Sequence, residues 1–424
     1  MQDEEQKMKI AVVGLGYVGL PLACAFAKKG ITAVGVDVSE KKVSLIKSGK
    51  SYISDVDSAT VKNLVKKGFL RPSADFGEIK KCECVIVCVP TPLRKTHDPD
   101  ISFIVSASEQ IGSHLGRGTT VVLESTTYPG TTREVVAPLL EKSGLRAGKD
   151  FYLAFSPERV DPANKKWKTE NTPKIIGGIN REYLEKACFY YGKIIGDVVP
   201  ASSLEAAEMV KLLENTFRAV NIGLINEIAQ IADKLKLDVW EIVNLAGTKP
   251  FGFMPFYPGP GLGGHCIPVD PLYLSWKMRS LNFYTRFIDL AAEINSTMPD
   301  FVVDKLVKIL NGFSISVKGS KILVLGVAYK KNVSDTRESP VIEIILNLLN
   351  LASDVSWFDD LVSAAIPGKR VKKLTSSALK ESDIVIIATD HDRFDYDFII
   401  KNSKLIFDLR NRTAKKKSKK IFKL

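Results

Sequence analysis

Residues 9–19 read Lys9-Ile10-Ala11-Val12-Val13-Gly14-Leu15-Gly16-Tyr17-Val18-Gly19, and this stretch decides the fold. Its apolar run Lys9–Gly14 lacks the alternation of a half-exposed strand, which predicts a parallel strand covered on both faces. The glycines predict a tight turn, and the helical spacing after them predicts a helix over Val18–Lys29. A second apolar run, Thr32–Val38, follows directly. Strand, turn, helix and strand make a βαβ unit, which begins a doubly wound domain.

The pattern that follows predicts where this first domain ends. Apolar runs predict further strands near Val85–Val89, Thr120–Leu123 and Tyr152–Phe155, which extends the domain over residues 1–200. From there, apolar positions at helical spacing, with almost no Gly or Pro, predict an unusually long helix over Leu204–Leu235. Such a helix is suited to link domains and to present a face to a second copy of the chain.

The remainder of the chain predicts two more domains. A central helical domain is predicted over residues 201–315, and it contains the Gly/Pro-rich run Pro255–Pro271. Strand patterns then return within residues 316–412. The predicted elements there are the strands Lys321–Val327, Asp354–Phe358, Asp383–Thr389 and Lys404–Leu409, with a helix near Pro340–Leu351. The predicted fold class is α/β, with two Rossmann-like doubly wound domains joined by a long helix and a central helical domain.

Composition and charge indicate to which broad class of protein the chain belongs. The 424 residues carry a formal charge of +12, and the last 14 residues hold Arg412 and six lysines with no acid. We interpret residues 413–424 as a frayed basic tail rather than a nucleic-acid-binding arm. No signal-peptide pattern and no apolar stretch of roughly 18 residues is present, so a cytoplasmic protein without membrane or nucleic-acid partners is expected. The six cysteines show no metal-ligand spacing, so no metal is expected, and Cys84 and Cys88 are expected in the core.

The glycine turn predicts a dinucleotide site. Gly14, Gly16 and Gly19 stand between a strand and a helix, the context in which a pyrophosphate meets a helix N-terminus. Asp37 lies 23 residues after Gly14, where a carboxylate binds ribose hydroxyls and repels a 2′-phosphate. The pattern therefore predicts NAD rather than NADP. A flavin and a turn that serves packing alone are the alternatives.

One cysteine, Cys266, has sequence neighbours that suit a catalytic role. Cys266 lies in the run Gly259–Pro271, with four glycines in the six residues 259–264. His265 and Asp270 offer polar groups that could set the protonation of its thiol, and the thiolate is the competent nucleophile. From the residues alone, a structural thiol in a loop remains open.

Two further groups of polar residues are candidates. Lys211 and Asn215 have the i, i+4 spacing that puts both on one face of the long helix, and Arg218 extends this stripe. A solvated helical face is the alternative. The cluster Ser156–Arg159 follows a strand end, where doubly wound folds place ligands.

At these residues the sequence resembles the UDP-glucose/GDP-mannose dehydrogenase family, and within it the branch that oxidises UDP-N-acetylglucosamine at C6. The resemblance covers roughly residues 9–412. It is carried by Gly14–Gly19, Glu124–Gly130, Ser156–Arg159, Lys211–Asn215, Gly263–Pro268, Ala328–Lys330 and Arg337–Pro340. Several independent motifs in the same order are more specific than any one of them.

The resemblance implies two successive NAD-dependent oxidations at C6 of a UDP-sugar, alcohol to aldehyde to carboxylate. Cys266 then resembles the nucleophile that holds the aldehyde as a thiohemiacetal and afterwards as a thioester. Lys211 resembles the residue that stabilises the oxyanion or shuttles protons, Asn215 its polar partner, and Asp270 the acid that helps to handle water and proton transfer. Thr126 and Glu158 match positions lining the same pocket.

The resemblance also implies binding residues. The cofactor-binding positions are Gly14, Gly16, Tyr17, Val18, Gly19, Asp37, Lys42, Thr91, Thr126 and Arg337. The substrate-binding positions are Glu158, Arg159, Val160, Lys211, Asn215, Arg218, Phe256, Tyr257, Gly259, Gly263 and Lys330. A homodimer through the long helix is expected, in a role of supplying polysaccharide or glycan precursors.

The identity of the sugar is less determined than the reaction. UDP-N-acetylglucosamine is favoured, and UDP-N-acetylmannosamine, UDP-N-acetylgalactosamine and UDP-glucose remain open, because epimers differ by a single hydrogen bond. Val269 and Pro162 stand where many UDP-glucose enzymes carry Lys and Glu, which weighs against UDP-glucose. From other classes, a two-electron hydroxyacid dehydrogenase and a non-catalytic NAD or nucleotide-sugar sensor remain as alternatives.

Overall fold

The computed structural model describes residues 8–53, 55–94, 96, 98–160, 166–414, 416 and 418–424. Pro162 therefore lies outside the described residues. The described chain forms two compact units. Unit 1 comprises residues within Met1–Glu214 together with Leu272–Phe283, and unit 2 comprises Asn215–Pro271 together with Tyr284–Leu424. Each unit is built on its own sheet.

The described residues of unit 1 form an eight-stranded sheet in the order β3-β2-β1-β4-β5-β6-β7-β8. Its strands are β1 (Lys9–Val13), β2 (Thr32–Val36), β3 (Leu70–Ser73), β4 (Cys84–Val87), β5 (Thr120–Leu123), β6 (Tyr152–Phe155), β7 (Lys174–Gly178) and β8 (Val198–Pro200). The pair β6 and β7 is antiparallel, and the other neighbours are parallel. Apolar residues on both faces of this sheet, among them Cys84 and Cys88, are buried, as predicted.

Helices cover both faces of this sheet. They are α1 (Gly19–Lys28), α2 (Glu40–Lys47), α3 (Ser58–Lys66), α4 (Ser102–Gly112), α5 (Ala137–Glu141) and α6 (Arg181–Tyr191), with a 3-10 turn at Phe76–Lys81 and a π turn at Thr132–Val136. The turn between β1 and α1 depends on Gly14, which has a φ of +92°. A Cβ at Gly14 would lie 2.6 Å from the carbonyl oxygen of Cys88, so the turn has room only for glycine.

A single long helix, α7 (Leu204–Leu235), runs from unit 1 into unit 2, with the bounds predicted from its periodicity. The remaining helices are α8 (Val239–Ala246), α9 (Asp270–Arg279), α10 (Arg286–Ser296), α11 (Met298–Gly312), α12 (Pro340–Asn350), α13 (Ser376–Glu381) and α14 (Tyr396–Asn402). Within the described ranges, no helix combines the length and the apolar character needed to cross a membrane.

The described residues of unit 2 form a six-stranded parallel sheet in the order β11-β10-β9-β12-β13-β14. Its strands are β9 (Lys321–Leu325), β10 (Asp354–Phe358), β11 (Lys369–Arg370), β12 (Ile384–Ile387), β13 (Ile406–Asp408) and β14 (Ile421–Lys423). One Rossmann-like sheet that is parallel except for the β6–β7 pair, a second that is fully parallel and a central helical region of the chain confirm the predicted fold class.

The prediction of a frayed basic tail is wrong for the end of the chain. Ile421–Lys423 pairs with β13 as the edge strand β14, and Leu424 is buried. The Lys420 ammonium donates to the carbonyl oxygens of Ile400 and Ser403 at the C-terminal end of α14. The short apolar pair Ile421 and Phe422 adds a strand, and the lysine meets the negative end of a helix, so the segment is ordered despite its charge.

Candidate active site

The glycine turn of unit 1 presents the features of a dinucleotide site. The Asp37 carboxylate, one residue past β2, accepts hydrogen bonds from the backbone N–H groups of Leu15 (2.8 Å) and Ser39 (2.9 Å). The Lys42 ammonium lies 2.9 Å from the same carboxylate. A Cβ at Gly16 would meet no atom within 4 Å, so the backbone there is open to a ligand. The turn, the N-terminus of α1 and the buried Asp37 together fit NAD.

Thr91 and Thr126 stand beyond the carboxyl ends of β4 and β5. The carbonyl oxygen of Thr91 accepts a hydrogen bond of 3.0 Å from the Tyr273 hydroxyl. Thr126 is half-buried in a segment fixed at both ends. At its start, the Ser125 hydroxyl donates to the carbonyl oxygen of Val89 at 2.8 Å. The end of the segment is held by a buried side chain of α7.

That side chain is Glu208, whose role the sequence reasoning missed. Its carboxylate accepts hydrogen bonds from the Gly130 N–H (2.6 Å), the Thr132 N–H (2.9 Å) and the Thr132 hydroxyl (2.6 Å). These donors begin the helical segment after the Thr126 turn, where N–H groups have no partner within their own helix. Glu208 thus ties the Thr126 segment to α7.

Glu158 lies in a buried cluster of charged side chains. The Lys174 ammonium, at the start of β7, lies 2.5 Å from the Glu124 carboxylate and 3.2 Å from that of Glu158. The Tyr191 hydroxyl donates to Glu124, and the Val160 N–H donates to Glu158 at 2.6 Å. The sequence reasoning missed Lys174 and Tyr191 and assigned Glu124 no role. The sequence did contain a signal for this cluster, because Glu124 and Lys174 each adjoin an apolar run that is typical of a buried strand.

The ionisation of this cluster follows from burial and from its one close ammonium. Burial raises the pKa of Glu124 to about 7, against the field of Lys174. Burial also acts to raise the pKa of Glu158, but Lys174, a hydrogen bond with Glu124 and the Val160 N–H hold it well below its ordinary value. Lys211 adds to this lowering, so the charge of this residue of α7 acts on Glu158.

Arg159 is held beside this cluster. Its guanidinium lies 2.6 Å from the Glu214 carboxylate and donates to the carbonyl oxygen of Pro173 at 2.8 Å. Lys211, three residues before Glu214 on α7, is buried with an exposed fraction of 8%. A lysine so deep in a protein needs anionic partners, and a solvated face does not describe it.

In unit 2, the structure brings Asn215 and Asp270 together. The Asn215 side-chain amide donates to the Asp270 carboxylate at 2.5 Å, and both side chains are buried. Asp270 begins α9, and its N–H donates to the carbonyl oxygen of Cys266 at 2.8 Å. Cys266 itself is exposed. Arg218, farther along the helix, is also exposed.

The loop that carries Cys266 lies against the turn after β9. Gly264 has a φ of +94°, and a Cβ there would lie 2.7 Å from the ring of Tyr329. Its N–H donates to the carbonyl oxygen of Arg337 at 3.2 Å. A Cβ at Gly263 would lie 2.7 Å from the carbonyl oxygen of Glu338. Close contact of two backbones therefore holds the cysteine loop.

His265, the neighbour of Cys266, contacts an acidic side chain in the segment after β9. Its Nε2 lies 2.8 Å from the Asp335 carboxylate, which also receives the Arg337 guanidinium at 2.7 Å. These contacts hold the pKa of Asp335 well below its ordinary value against the effect of burial. Lys330, one residue after Tyr329, extends over its ring, with the ammonium 5.8 Å from the ring centroid.

The segment Phe256–Gly259 is supported by buried amides that the sequence reasoning also missed. The Gly259 N–H donates to the Asn226 side chain at 3.0 Å, and Asn226 in turn donates to Asn295 at 2.8 Å. Phe256 packs against Phe217 with 5.8 Å between ring centroids. The Tyr257 hydroxyl donates to the Asn244 side chain at 2.9 Å, and its ring stacks on Trp240. Polar and aromatic side chains thus fix this segment.

Family models match most of the chain. The UDP-glucose/GDP-mannose dehydrogenase family, NAD binding domain, matches residues 8–195. The central domain of the same family matches residues 205–297, and its UDP binding domain matches residues 323–415.

Individual proteins to which the chain is similar are also named as UDP-sugar dehydrogenases. A UDP-N-acetyl-D-glucosamine 6-dehydrogenase of Pseudomonas aeruginosa is 38% identical over 391 residues, which are 91% of each chain. A UDP-N-acetyl-D-mannosamine dehydrogenase of Pyrococcus horikoshii is 36% identical over 410 residues, 95% of this chain and 96% of that one. Among solved structures, a UDP-D-ManNAc dehydrogenase of Pyrococcus horikoshii superposes with a TM-score of 0.90 at 34% identity, covering 98% and 99% of the two chains. The UDP-N-acetyl-mannosamine dehydrogenase Cap5O of Staphylococcus aureus gives a TM-score of 0.84 at 32% identity, covering 98% of each chain.

Proposed function

The chain belongs to the UDP-glucose/GDP-mannose dehydrogenase family and is an NAD-dependent UDP-sugar dehydrogenase, and from this premise we propose that it oxidises C6 of a UDP-N-acetylhexosamine to the uronate. UDP-N-acetylglucosamine is the substrate we favour. Relatives named for the glucosamine and for the mannosamine substrate have similar identity, 38% and 36%. The product would serve as a precursor of a polysaccharide or another glycan.

In the proposed mechanism, Cys266 holds the substrate between two oxidations. NAD, when bound at the glycine turn, supplies the hydride acceptor. The Cys266 sulfur bonds to C6 of the aldehyde and gives a thiohemiacetal, with the carbonyl oxygen becoming the hydroxyl oxygen. The second oxidation converts this carbon to a thioester, and water then breaks the C–S bond to release the carboxylate and the thiol. Each sugar therefore reduces two NAD and consumes one water.

The other polar residues handle protons and charge. Asp270, hydrogen-bonded to Asn215, is placed by its helical turn one turn after Cys266 to accept a proton from the attacking water. The Lys211 ammonium stabilises the oxyanion. Glu158, which its surroundings keep ionised, accepts the proton of the C6 hydroxyl or of a water bound to it. Residues 1–200, 201–315 and 316–412 thereby serve as NAD-binding, catalytic-loop and nucleotide-sugar-binding segments.

The observation that carries this proposal is the arrangement around α9. Cys266 is exposed, and the buried carboxylate of Asp270, which accepts a hydrogen bond from the Asn215 side chain, lies one helical turn later. The Asp270 N–H donates to the Cys266 carbonyl oxygen and so joins the two residues. A simple alcohol dehydrogenase has no use for a cysteine at that position, whereas a four-electron oxidation needs one to retain the aldehyde.

The Cys266→Ser variant tests the covalent mechanism. We expect uronate formation to be lost while NAD binding is retained, because the substitution leaves the glycine turn of unit 1 intact. Cys188→Ser, which changes a half-buried thiol on α6, is the matched control. Undiminished uronate formation by Cys266→Ser, or a yield of about one NADH per sugar in the parent enzyme, would overturn the mechanism.

The role of Lys211 is tested on the same helix. We expect Lys211→Ala to lower kcat by about a hundredfold or more with the fold intact, because an ion that faces a developing charge acts mainly in the transition state. Lys234→Ala, an exposed lysine of α7, is the control. Equal rates for the two variants would refute the assignment.

The sugar is identified by comparing kcat/KM for UDP-N-acetylglucosamine, UDP-N-acetylmannosamine, UDP-N-acetylgalactosamine and UDP-glucose. We expect UDP-N-acetylglucosamine to be preferred by about tenfold or more, since a site built for one hydroxyl leaves a polar group without its partner when an epimer binds. A preference for UDP-glucose would refute the N-acetylhexosamine assignment altogether.

We also propose a homodimer through α7, in the cytoplasm, where reducing conditions keep Cys266 as a thiol. Leu213, Phe217, Leu224 and Ile231 are 58%, 46%, 51% and 44% exposed and lie on one side of α7, opposite the buried Lys211 and Asn215. An apolar stripe of this kind is typical of an interface between helices. Light scattering should show a dimer that Leu224→Glu disrupts and Leu346→Glu, on α12, leaves intact. A monomer in the parent protein would refute this proposal.

A further inference from the structure

The topology of unit 1 explains how the buried cluster around Glu158 forms. Glu124 and Glu158 stand just beyond the carboxyl ends of the neighbouring parallel strands β5 and β6. Strand β7 pairs antiparallel to β6, with Phe155 opposite Gly177. The first residue of β7, Lys174, therefore lies at the same edge of the sheet as the two carboxylates. The one antiparallel strand pair among the described residues of this sheet is what brings a cation to them.

The charges of the cluster do not balance when both carboxylates are ionised. The side chains of Glu124, Lys174 and Glu158 are 0%, 4% and 13% exposed. One ammonium between two carboxylates leaves a net negative charge, which is costly away from water. A single added proton neutralises the group. Both carboxyl groups contact the same Lys174 ammonium, so one proton can be shared between them.

The surroundings decide which carboxylate holds this proton. Glu158 receives the Val160 N–H and the field of Lys211, and both favour its ionised form. Glu124 is the more deeply buried of the two, with 0% of its side chain exposed against 13% for Glu158, and burial raises its pKa although the Lys174 ammonium and the Tyr191 hydroxyl favour its ionised form. Glu124 is therefore the carboxyl of the pair that takes up a proton first, and its pKa of about 7 leaves it partly ionised at neutral pH, while Glu158 remains a carboxylate.

We propose that Lys174 and Glu124 are positioning residues that act through Glu158, with Lys174 holding it ionised and oriented and Glu124 receiving protons from it within the group that the Lys174 ammonium joins. This inference rests on the proposed function, in which Glu158 accepts a proton from the substrate hydroxyl or a bound water. In the further step, one proton passes from the Glu158 carboxyl to the ionised form of Glu124, and no electrons move. Neither Lys174 nor Glu124 contacts the substrate in this scheme.

The scheme predicts a pH dependence with a definite sign. Lys174 lowers the pKa of Glu158, so replacing it with an uncharged side chain raises that pKa and protonates the base at neutral pH. On the acidic side of the pH profile, which we call the acidic limb, kcat/KM falls as the base becomes protonated. In Lys174→Met this limb should shift to higher pH by about one unit or more. Lys174→Arg restores the charge and should return the limb to that of the parent enzyme.

Glu124→Gln removes the carboxyl that receives the proton and keeps its size. We expect kcat to fall by about tenfold near neutral pH with KM unchanged, which is less than the roughly hundredfold or more of a direct proton-transfer group because Glu124 acts only through Glu158. A purely structural role for the cluster would change the midpoint of thermal unfolding without moving the acidic limb. NAD binding reports that unit 1 of each variant is folded.

An infrared titration of the protein without substrate tests the inference separately from activity. The band of a protonated carboxyl should be lost on deprotonation near pH 7, absent in Glu124→Gln, and retained in Glu158→Gln. If the acidic limb of Lys174→Met coincides with that of the parent enzyme, or if Glu124→Gln leaves the band in place, the inference is wrong. Normal turnover by Glu158→Gln would instead refute the role that the proposed function gives to Glu158.

Discussion

The tie between Glu208 and the Thr126 segment allows a quantitative prediction. In Glu208→Ala, the Gly130 and Thr132 N–H groups, both on buried residues, lose their acceptor. The Thr132 hydroxyl can rotate to another acceptor, but the backbone groups cannot. Each buried donor left without a partner costs about 1–3 kcal/mol, so the two together cost about 4 kcal/mol. This is a large part of a typical domain stability of about 5–15 kcal/mol.

Hydrogen exchange measures this cost where it arises. A loss of about 4 kcal/mol corresponds to roughly a thousandfold faster exchange of the amides in residues 130–136, at about tenfold per 1.4 kcal/mol. Glu208→Gln keeps one acceptor oxygen and should show a smaller acceleration. Thermal unfolding of the same variants reports whether the loss extends to the whole of unit 1.

Glu205→Gln is the matched control, one turn earlier on α7. Its carboxylate pairs with the Arg133 guanidinium at 2.7 Å, and both side chains are partly exposed. An exposed pair contributes only about 0–1 kcal/mol. Similar exchange rates in Glu208→Ala and Glu205→Gln would refute the reasoning that buried acceptors hold this segment.

Two further predictions concern buried carboxylates at equivalent turns of the two sheets. Asp37→Asn should weaken NAD binding by about tenfold and raise the relative affinity for NADP, because the charge that repels a 2′-phosphate is lost; an unchanged ratio of the two dissociation constants, measured by cofactor fluorescence, would contradict this. Asp359 accepts hydrogen bonds from His391 (3.0 Å) and the Val327 N–H (2.9 Å), and these lower its pKa despite burial. The pKa of Asp359 is lower in the folded chain than in the unfolded chain. The ionised carboxylate therefore stabilises the fold above pH about 4, and this stabilisation is lost as the pH falls through the folded pKa. Acid unfolding followed by circular dichroism should therefore be shallower in Asp359→Asn, and identical profiles would exclude this contribution.

Local patterns determined much of the architecture. The apolar run before Gly14, the glycine turn and Asp37 predicted the first βαβ unit, because strand burial, a positive φ and a strand-end carboxylate each depend on a few neighbouring residues. The periodicity of Leu204–Leu235 predicted α7 with its bounds. The strand Ile421–Lys423 escaped prediction, because three residues among lysines carry too little pattern to outweigh the charge around them.

The contacts that hold the candidate site were decided by the tertiary structure. Lys174 lies 50 residues from Glu124, and Glu208 lies 78 residues from Gly130. Asn226 and Asn295 are 69 residues apart. None of these pairs has a spacing that a helix or a turn would reveal, because the partners belong to elements far apart in the chain that meet only when those elements pack.

The sequence by itself determined the α/β architecture, the dinucleotide turn and the cysteine loop, together with the family and its cofactor. These properties rest on short-range periodicity, on glycine stereochemistry and on motifs contiguous in the chain. Only the tertiary structure decided that Lys211 is buried, that Asn215 meets Asp270 and that Lys174 joins two carboxylates. The physical reason is that burial and ionisation depend on which distant segments pack together, and no single segment of the sequence contains this information.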